Sequence, residues 1–346
     1  MIDGRGNCFE VMKNKSVCEW DDLPSLSQVI TAFVPICLDM MQLNYRTCTD
    51  VLPWYQKIKL VDSLIVCVAT TILTIIKPVV MDITLNVLTR YCNNSSKDLR
   101  RASEILYECG TRILIVGWTF YDVVLAPECS YIVAPMQVLR GVWEAGASGA
   151  NTTLSRRLLL LVSISRYSSA LIDVLFLAER RRDTISLVIH HVVAVLMMTT
   201  AYTTFPELGL TVFFLHEACD PSLEVARLLH YLQSSKGSHT VPRMSSHVCF
   251  VVFTIKWFLF RLYLFPMRGM YPATAVDRNS CQYGSYAAAA LLAALLFMLN
   301  IAWSVMIIRA IINRFLYSRL TDETMESPHE FDQQNSSQKN LKSKDT

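Results

Sequence analysis

Charge is scarce in this sequence. Only 18% of its 346 residues are Asp, Glu, Lys or Arg, against 52% that are hydrophobic, and a soluble domain of this length cannot hide that much apolar surface. Such a composition calls for the bilayer as solvent. There is no long basic run with interleaved aromatics and the net charge is +3, so nucleic acid is excluded as a partner. CxxC pairs and the Cys/His spacing of a zinc site are also missing among the 11 cysteines, and no metal is expected. The first thirty residues hold Asp3, Glu10, Glu19, Asp21 and Asp22 and no apolar core, so no cleavable signal peptide is expected. No internal repeat is found.

What is present is a series of apolar runs. A spanning helix needs about 20 mostly apolar residues, and runs near Leu60–Met81, Arg112–Cys129, Arg157–Leu177, Thr184–Phe205, Leu208–Leu229, Ser246–Met267 and Ser285–Ile312 meet that need. The expected fold is all-α, a polytopic membrane protein of about seven transmembrane helices. Val29 to Met41 is too short and too flanked by acids to span, and is read as interfacial. Basic residues after the first run (Arg90, Lys97, Arg100, Arg101), after the third (Arg180, Arg181, Arg182), after the fifth (Lys236, Arg243) and after the last (Arg309, Arg314, Arg319) fall on one side of a seven-span chain. The positive-inside rule makes that side cytosolic. Arg156 and Arg157 stand on the other side, against the rule.

This topology makes residues 1–59 a luminal N-terminal segment, 60–81 the first transmembrane helix and 82–99 a cytosolic loop. The sequons at Asn14 and Asn151 are then luminal and open to glycosylation, whereas those at Asn93 and Asn94 stay bare. Cys8, Cys18, Cys37, Cys48, Cys129 and Cys281 fall in the oxidising compartment, where a Cys129 to Cys281 bridge between luminal loops is one option beside buried or reduced thiols. Residues 318–346 are polar, acidic around Ser327, and expected to be a disordered cytosolic tail.

The informative residues are ionisable groups inside the runs, where each costs about 2.5 to 3.5 kcal/mol at a helix centre. The fifth run carries His216, Glu217, Asp220, Glu224 and Arg227 in LHEACDPSLEVAR. At about 100° per residue these five share roughly a third of a continuous helix. Pro221 in the same run favours a kink. The fourth run holds the adjacent pair His190 and His191, with Tyr202 eleven residues on and nearly on the face of His191. Arg166 and Asp173 share a face of the third run and read as interhelical glue. Lys256 and Arg261 enter the sixth. Three histidines and three carboxylates on consecutive helices have a chemical use, since a carboxylate can fix an imidazole's tautomer and raise its basicity. Metal ligation is disfavoured by the adjacent histidines and the lack of HExxH.

The stretch from Arg181 to Leu232, with its HH pair, its LHE element, the acid Asp220 and its LEVAR close, resembles the Lag1 signature of ceramide synthases. Similarity from Arg100 to Tyr317 extends over a whole TLC domain, with FRLYLFPM around Arg261 and LNIAWSVMII around Asn300 and Trp303 resembling its last two spans. The resemblance implies a TLC domain at 100–317 in which six helices form a barrel-like bundle around an acyl cavity, with the first span outside. It implies N-acylation of a sphingoid base by acyl-CoA, without a cofactor, in the endoplasmic reticulum membrane. On it, His190, His191, His216, Glu217 and Asp220 are catalytic, with Tyr202, Glu224, Arg227, Arg261 and Asn300 in support. Arg180, Arg181, Arg182 and Arg243 are candidates for the CoA phosphates, although topology explains them as well. The loop from Arg268 to Gly284 influences acyl-chain length in the family. Partners so implied are fatty acyl-CoA, a sphingoid base and membrane lipids, with a homo- or heterodimer of related synthases as an option.

Three departures stand out. Glu217 replaces an aspartate, Pro221 follows Asp220, and Ala201 with Phe205-Pro206 replaces a polar Ser-Tyr-x-x-Asn run. The expected chemistry is transfer through an acyl-imidazole on His190, with Glu217 or Asp220 orienting the partner imidazole and His191 or His216 as base for the amine. The alternative is a non-catalytic TLC-domain protein that binds lipid or associates with a translocon.

Overall fold

A computed structural model of the chain describes residues 23–42, 58–92, 94–127, 131–134, 153–177, 183–233, 243–275 and 283–317. Helix α1, Leu26–Met41, opens on a capping box: the Ser25 hydroxyl accepts the Gln28 N–H at 3.3 Å and the Ser25 N–H donates to Gln28 Oε1 at 2.7 Å. Helix α2 is Leu60–Tyr91, and α3 is Ser96–Phe120, capped by Ser95 and continued by a π-helical turn at Tyr121–Leu125. Helix α4, Leu154–Ile172, ends in a second π-helical turn, Asp173–Leu177. Then follow α5 (Thr184–Thr204), α6 (Pro206–Glu217) and α7 (Asp220–Gln233). Helix α8, Arg243–Trp257, widens into π-helix over Phe258–Met270 and tightens at Tyr271–Ala275, and α9 is Tyr283–Tyr317.

The protein is an all-helical, polytopic membrane protein. Among the described residues five helices are long and apolar enough to span a bilayer, Leu60–Tyr91, Leu154–Leu177, Thr184–Thr204, Ser245–Thr274 and Tyr283–Ile312. Leu64, Val68, Ile72, Ile75 and Val79 of α2 point outward, and only 6% of its most apolar window is buried. Such a face is at home in hydrocarbon and costly in water. Threonine hydroxyls in these helices are satisfied locally, as where Thr71 donates to the Cys67 carbonyl at 2.9 Å.

Two expectations are corrected here. The expected loop at 82–99 is mostly helix, because α2 runs on to Tyr91 and α3 begins at Ser96. The expected second span, Arg112–Cys129, begins in the second half of α3 and continues through the π-helical turn to Leu125, and Cys129 lies outside the described residues. The expected fifth span, Leu208–Leu229, is two helices. Pro221 has no N–H with which to close a turn on the Glu217 carbonyl, and α6 stops there. Proline also starts α6: Pro206 sits at its first position after Phe205 turns the chain at φ −149°, ψ 69°.

Small residues set the close approaches. Ala201 of α5 is fully buried, and a Cβ added at Gly209 of α6 would overlap its side chain. Ala287 and Ala290 let α9 pack on α1 and α5 in the same way. Helix α1, expected at an interface, buries Val29, Phe33 and Ile36 in the bundle, and Asp39 accepts the Tyr283 hydroxyl at 2.6 Å. Its other face shows Ile30, Val34 and Leu38.

Candidate active site

The break between α6 and α7 organises everything around it. A helix that ends inside a bundle leaves carbonyls in need of donors. Arg261 answers the His216 carbonyl through Nη2 at 2.7 Å and Nε at 3.2 Å, and Lys256 reaches the Ala218 carbonyl at 3.4 Å. Both cations come from α8 and its π-helical extension and sit at the negative end of the α6 dipole. Arg261 also donates to Asp220 Oδ1 at 2.6 Å and stacks over Trp257, 4.3 Å from the ring centroid.

Arg112 of α3 gathers the carboxylates. It pairs with Asp220 Oδ2, with Glu217 Oε2 at 3.4 Å and with Glu224 Oε1 at 3.8 Å. Glu217 receives two more donors, the Tyr167 hydroxyl at 2.7 Å and Arg166 Nη1 at 3.2 Å. Glu224 is paired with Arg227 at 3.2 Å. A buried carboxylate is tolerable only when so compensated. The network ties α3, α4, α6, α7 and α8 together.

His190 and His191 are both 8% exposed, and the Nδ1 atom of each is buried without a hydrogen-bond partner. Their rings stand 5.5 Å apart, with Tyr167 about equally near both at 6.0 and 5.9 Å, and Trp303 is edge-on to His190 at 5.2 Å. His216 is the opposite case. Its Nδ1 lies 2.8 Å from the Val212 carbonyl, an acceptor only, so Nδ1 carries the proton; Nε2 then accepts from the Asn300 amide at 3.1 Å.

A cavity of about 340 Å³ joins these parts. His190, His191, Glu217, Asp220, Arg112 and Arg261 line it, and Leu223, Phe250, Phe253, Trp257, Met306 and Ile307 give it apolar walls. Among the described residues no group of three or more histidine, cysteine or acidic side chains is arranged to hold a metal ion. A buried mixture of free imidazole, neutralised charge and hydrocarbon wall suits a substrate with a long chain and one polar reacting group.

The sequence pattern of the TLC domain matches residues 111–309, more than half of the chain. The chain belongs to the TLC domain family. It is similar to ceramide synthase 1 of Homo sapiens, 31% identical over 113 residues (32% of either chain), and to ceramide synthase 4 of Homo sapiens, 31% over 169 residues (48% of this chain, 39% of the relative). Ceramide synthase LOH2 of Arabidopsis thaliana is 29% identical over 114 residues, 33% of this chain and 36% of the relative. The chain thus matches about a third of the length of these curated relatives.

Within the TLC domain, His190, His191, Glu217, Asp220, Glu224, Arg227 and Arg261 all line one cavity, and Asn300 holds His216 beside it. Across the break His216 and Glu217 lie on one helix and Asp220 and Glu224 on another, so no single helical face joins them; Arg112 and Arg261 do the grouping. The expected carboxylate–imidazole pairs are absent among the described residues, because arginines and Tyr167 take the carboxylates. Tyr202 is corrected outright. Eleven residues of helix rise about 16 Å, and Tyr202 lies at the far end of α5, accepting from Arg157 Nε at 2.9 Å and donating to Asp62 at 2.6 Å. Arg166 and Asp173 do not pair with each other: Arg166 binds Glu217, and Asp173 binds Lys77 at 2.7 Å.

Arg156 and Arg157, anomalous in the charge pattern, are paired with Glu207 at 3.4 Å and Asp62 at 2.6 Å. Arg180, Arg181, Arg182, Asn14, Asn151, Cys129, Cys281 and the tail lie outside the described residues, and only the backbone of Arg243 is described. Cys37 is a buried free thiol. Arg112, Tyr167, Lys77 and Glu108 escaped the sequence reading. Lys77 had a signal: it is the one charge between Asp62 and Met81, and so expensive a residue needs partners.

Proposed function

We propose that this chain is a ceramide synthase, an acyl-CoA-dependent N-acyltransferase acting on a sphingoid base in the endoplasmic reticulum membrane. One observation carries the reading: two adjacent imidazoles with buried, unpartnered nitrogens line a largely apolar cavity. The TLC domain match and the ceramide synthase relatives support it. The cavity reaches Asp173 just after α4, Thr184 in the first turn of α5, His230 near the end of α7, Ser246 in the first turn of α8 and Ala310 in the second half of α9, toward the end of the bundle that the basic loops assign to the cytosol. Acyl-CoA arrives from that side.

In the proposed reaction a His190 nitrogen attacks the thioester carbonyl carbon. The C–S bond breaks, CoA leaves as thiolate and takes the ring proton that the acylated imidazolium sheds, and the acyl chain rests on imidazole. The sphingoid ammonium gives a proton to His191 and attacks the same carbon as a neutral amine. The amide bond forms, the acyl–imidazole bond breaks, and the second amine proton leaves with the His190 nitrogen. His216, with both nitrogens engaged, is a positioning residue that fixes α6 against α9. Glu217 and Asp220 hold Arg112 and Arg261 in place.

A second reading, a non-catalytic lipid-binding TLC protein, draws on the full commitment of Glu217 and Asp220 to arginines. Purified protein incubated with acyl-CoA and sphinganine separates the two. Ceramide from wild type and none from His190→Ala or His191→Ala supports acyl transfer; no ceramide from well-folded wild type refutes it.

A further inference from the structure

A second cavity, of about 320 Å³, lies between α2, α3 and α4 and is lined by Leu73, Ile115, Trp118, Val162 and Ala170 among others. Lys77, Glu108 and Arg166 line both this cavity and the one that holds the histidines. At their junction Lys77 threads a four-carbon stem inward from the lipid-facing helix α2. Its ammonium stands 3.0 Å from Glu108 Oε1, 2.7 Å from Asp173 Oδ2 and 3.9 Å from Glu104 Oε1. An alkylammonium, the functional group of Lys77, is therefore already recognised at this point of the fold.

Glu108 and Asp173 are two carboxylates against the one ammonium of Lys77. Arg112 and Arg166, the nearest other guanidiniums, are turned to Glu217. Glu108 Oε2 and Asp173 Oδ1 accept no hydrogen bond from the described residues, and the two side chains keep 26% and 21% of their surface accessible. The cavity that Glu108 and Asp173 line is also lined by His190 and His191, whose Nδ1 atoms have no hydrogen-bond partner. Resting on the acyl-transfer reading for its role, we infer that Glu108 and Asp173 bind the ammonium of a long-chain amine whose hydrocarbon fills the cavity between α2, α3 and α4. Lys77 offsets one of their two charges when no amine is present, and the free lone pairs receive the substrate's N–H groups. The amine is held charged at the acids and released toward the imidazoles.

The test uses full-length protein in nanodiscs and tritiated sphinganine as probe, with hexadecylamine, hexadecanol and hexadecanoate as competitors. Saturable binding that hexadecylamine displaces and the alcohol and acid do not is expected. Glu108→Gln removes one charge-assisted bond and weakens binding about tenfold. Ala170→Phe fills the chain cavity, touches no charge and weakens it too, which guards against a folding defect in the first variant. Both raise KM for sphinganine far more than KM for acyl-CoA. Equal displacement by all three competitors, or unchanged affinity in both folded variants, overturns the site. Binding is also read in His190→Ala protein, so absence of acyl transfer sinks the reaction alone, while product formation with an unmoved sphinganine KM in both variants sinks the amine site alone.

Discussion

The Asn300 amide nitrogen of α9 stands 3.1 Å from Nε2 of His216 on α6. With Nδ1 donating to Val212, this leaves His216 no lone pair with which to accept a substrate proton. Asn300→Leu strands a buried imidazole nitrogen and should destabilise the protein by about 1–3 kcal/mol, seen in thermal unfolding of the solubilised protein. Activity should fall roughly in step with stability. If instead His216→Ala abolishes turnover at unchanged stability, as His190→Ala is expected to, His216 takes part in the chemistry and its positioning role is wrong.

Glu217 occupies a position where the resembling family has aspartate, and the structure shows a use for the extra methylene. Its two oxygens reach donors from two helices, Tyr167 and Arg166 on α4 and Arg112 on α3. Glu217→Asp withdraws the carboxylate from at least one of them and should cost about 1–2 kcal/mol. Paired with Tyr167→Phe in a double-mutant cycle, it should show a coupling of about 0.5 kcal/mol or more. Additive losses would mean the Tyr167 contact contributes nothing.

Much of this architecture was legible in the sequence, and the limits have physical causes. Apolar run length revealed the spanning helices because the bilayer demands length. The cost of charge in hydrocarbon pointed to His190, His191 and the acids of the LHEACDPSLEVAR segment. Periodicity then failed at Pro221, since angular arithmetic assumes an unbroken helix, and at Tyr202, where sharing a face does not mean sharing a depth. Ion-pair partners were illegible for a related reason. Arg166 has Asp173 seven residues away on its own helix, yet Glu217 approaches from another, and no local spacing announces a contact 51 residues distant.

Gly209 explains the small apolar residue at position 201 of α5. A Cβ at position 209 would overlap that of Ala201, so the pair leaves no room for a hydroxyl. Gly209→Ala should destabilise the protein by about 1–3 kcal/mol. The double variant Gly209→Ala with Ala201→Gly should recover most of the loss, because it returns the volume to the same contact. No recovery in thermal unfolding would place the penalty in the α6 backbone instead.

Asn94 offers a check on topology that is independent of the active site. Its side-chain amide donates to the Tyr231 carbonyl at 2.8 Å and the Leu232 carbonyl at 3.3 Å, satisfying the C-terminal end of α7. A glycan on that nitrogen would replace a donated hydrogen and need space where α7 packs. The orientation expected from the positive-inside rule would put Asn94 on the cytosolic side as well, away from the glycosylation machinery. Glycosidase treatment of protein from eukaryotic cells should therefore shift mobility through Asn14 and Asn151, and Asn94→Gln should leave the shift intact. Should Asn94→Gln remove a glycan, both the orientation of the bundle and the packing of α7 against the α2–α3 connection would be wrong, and the cavity would face the lumen, where acyl-CoA does not arrive.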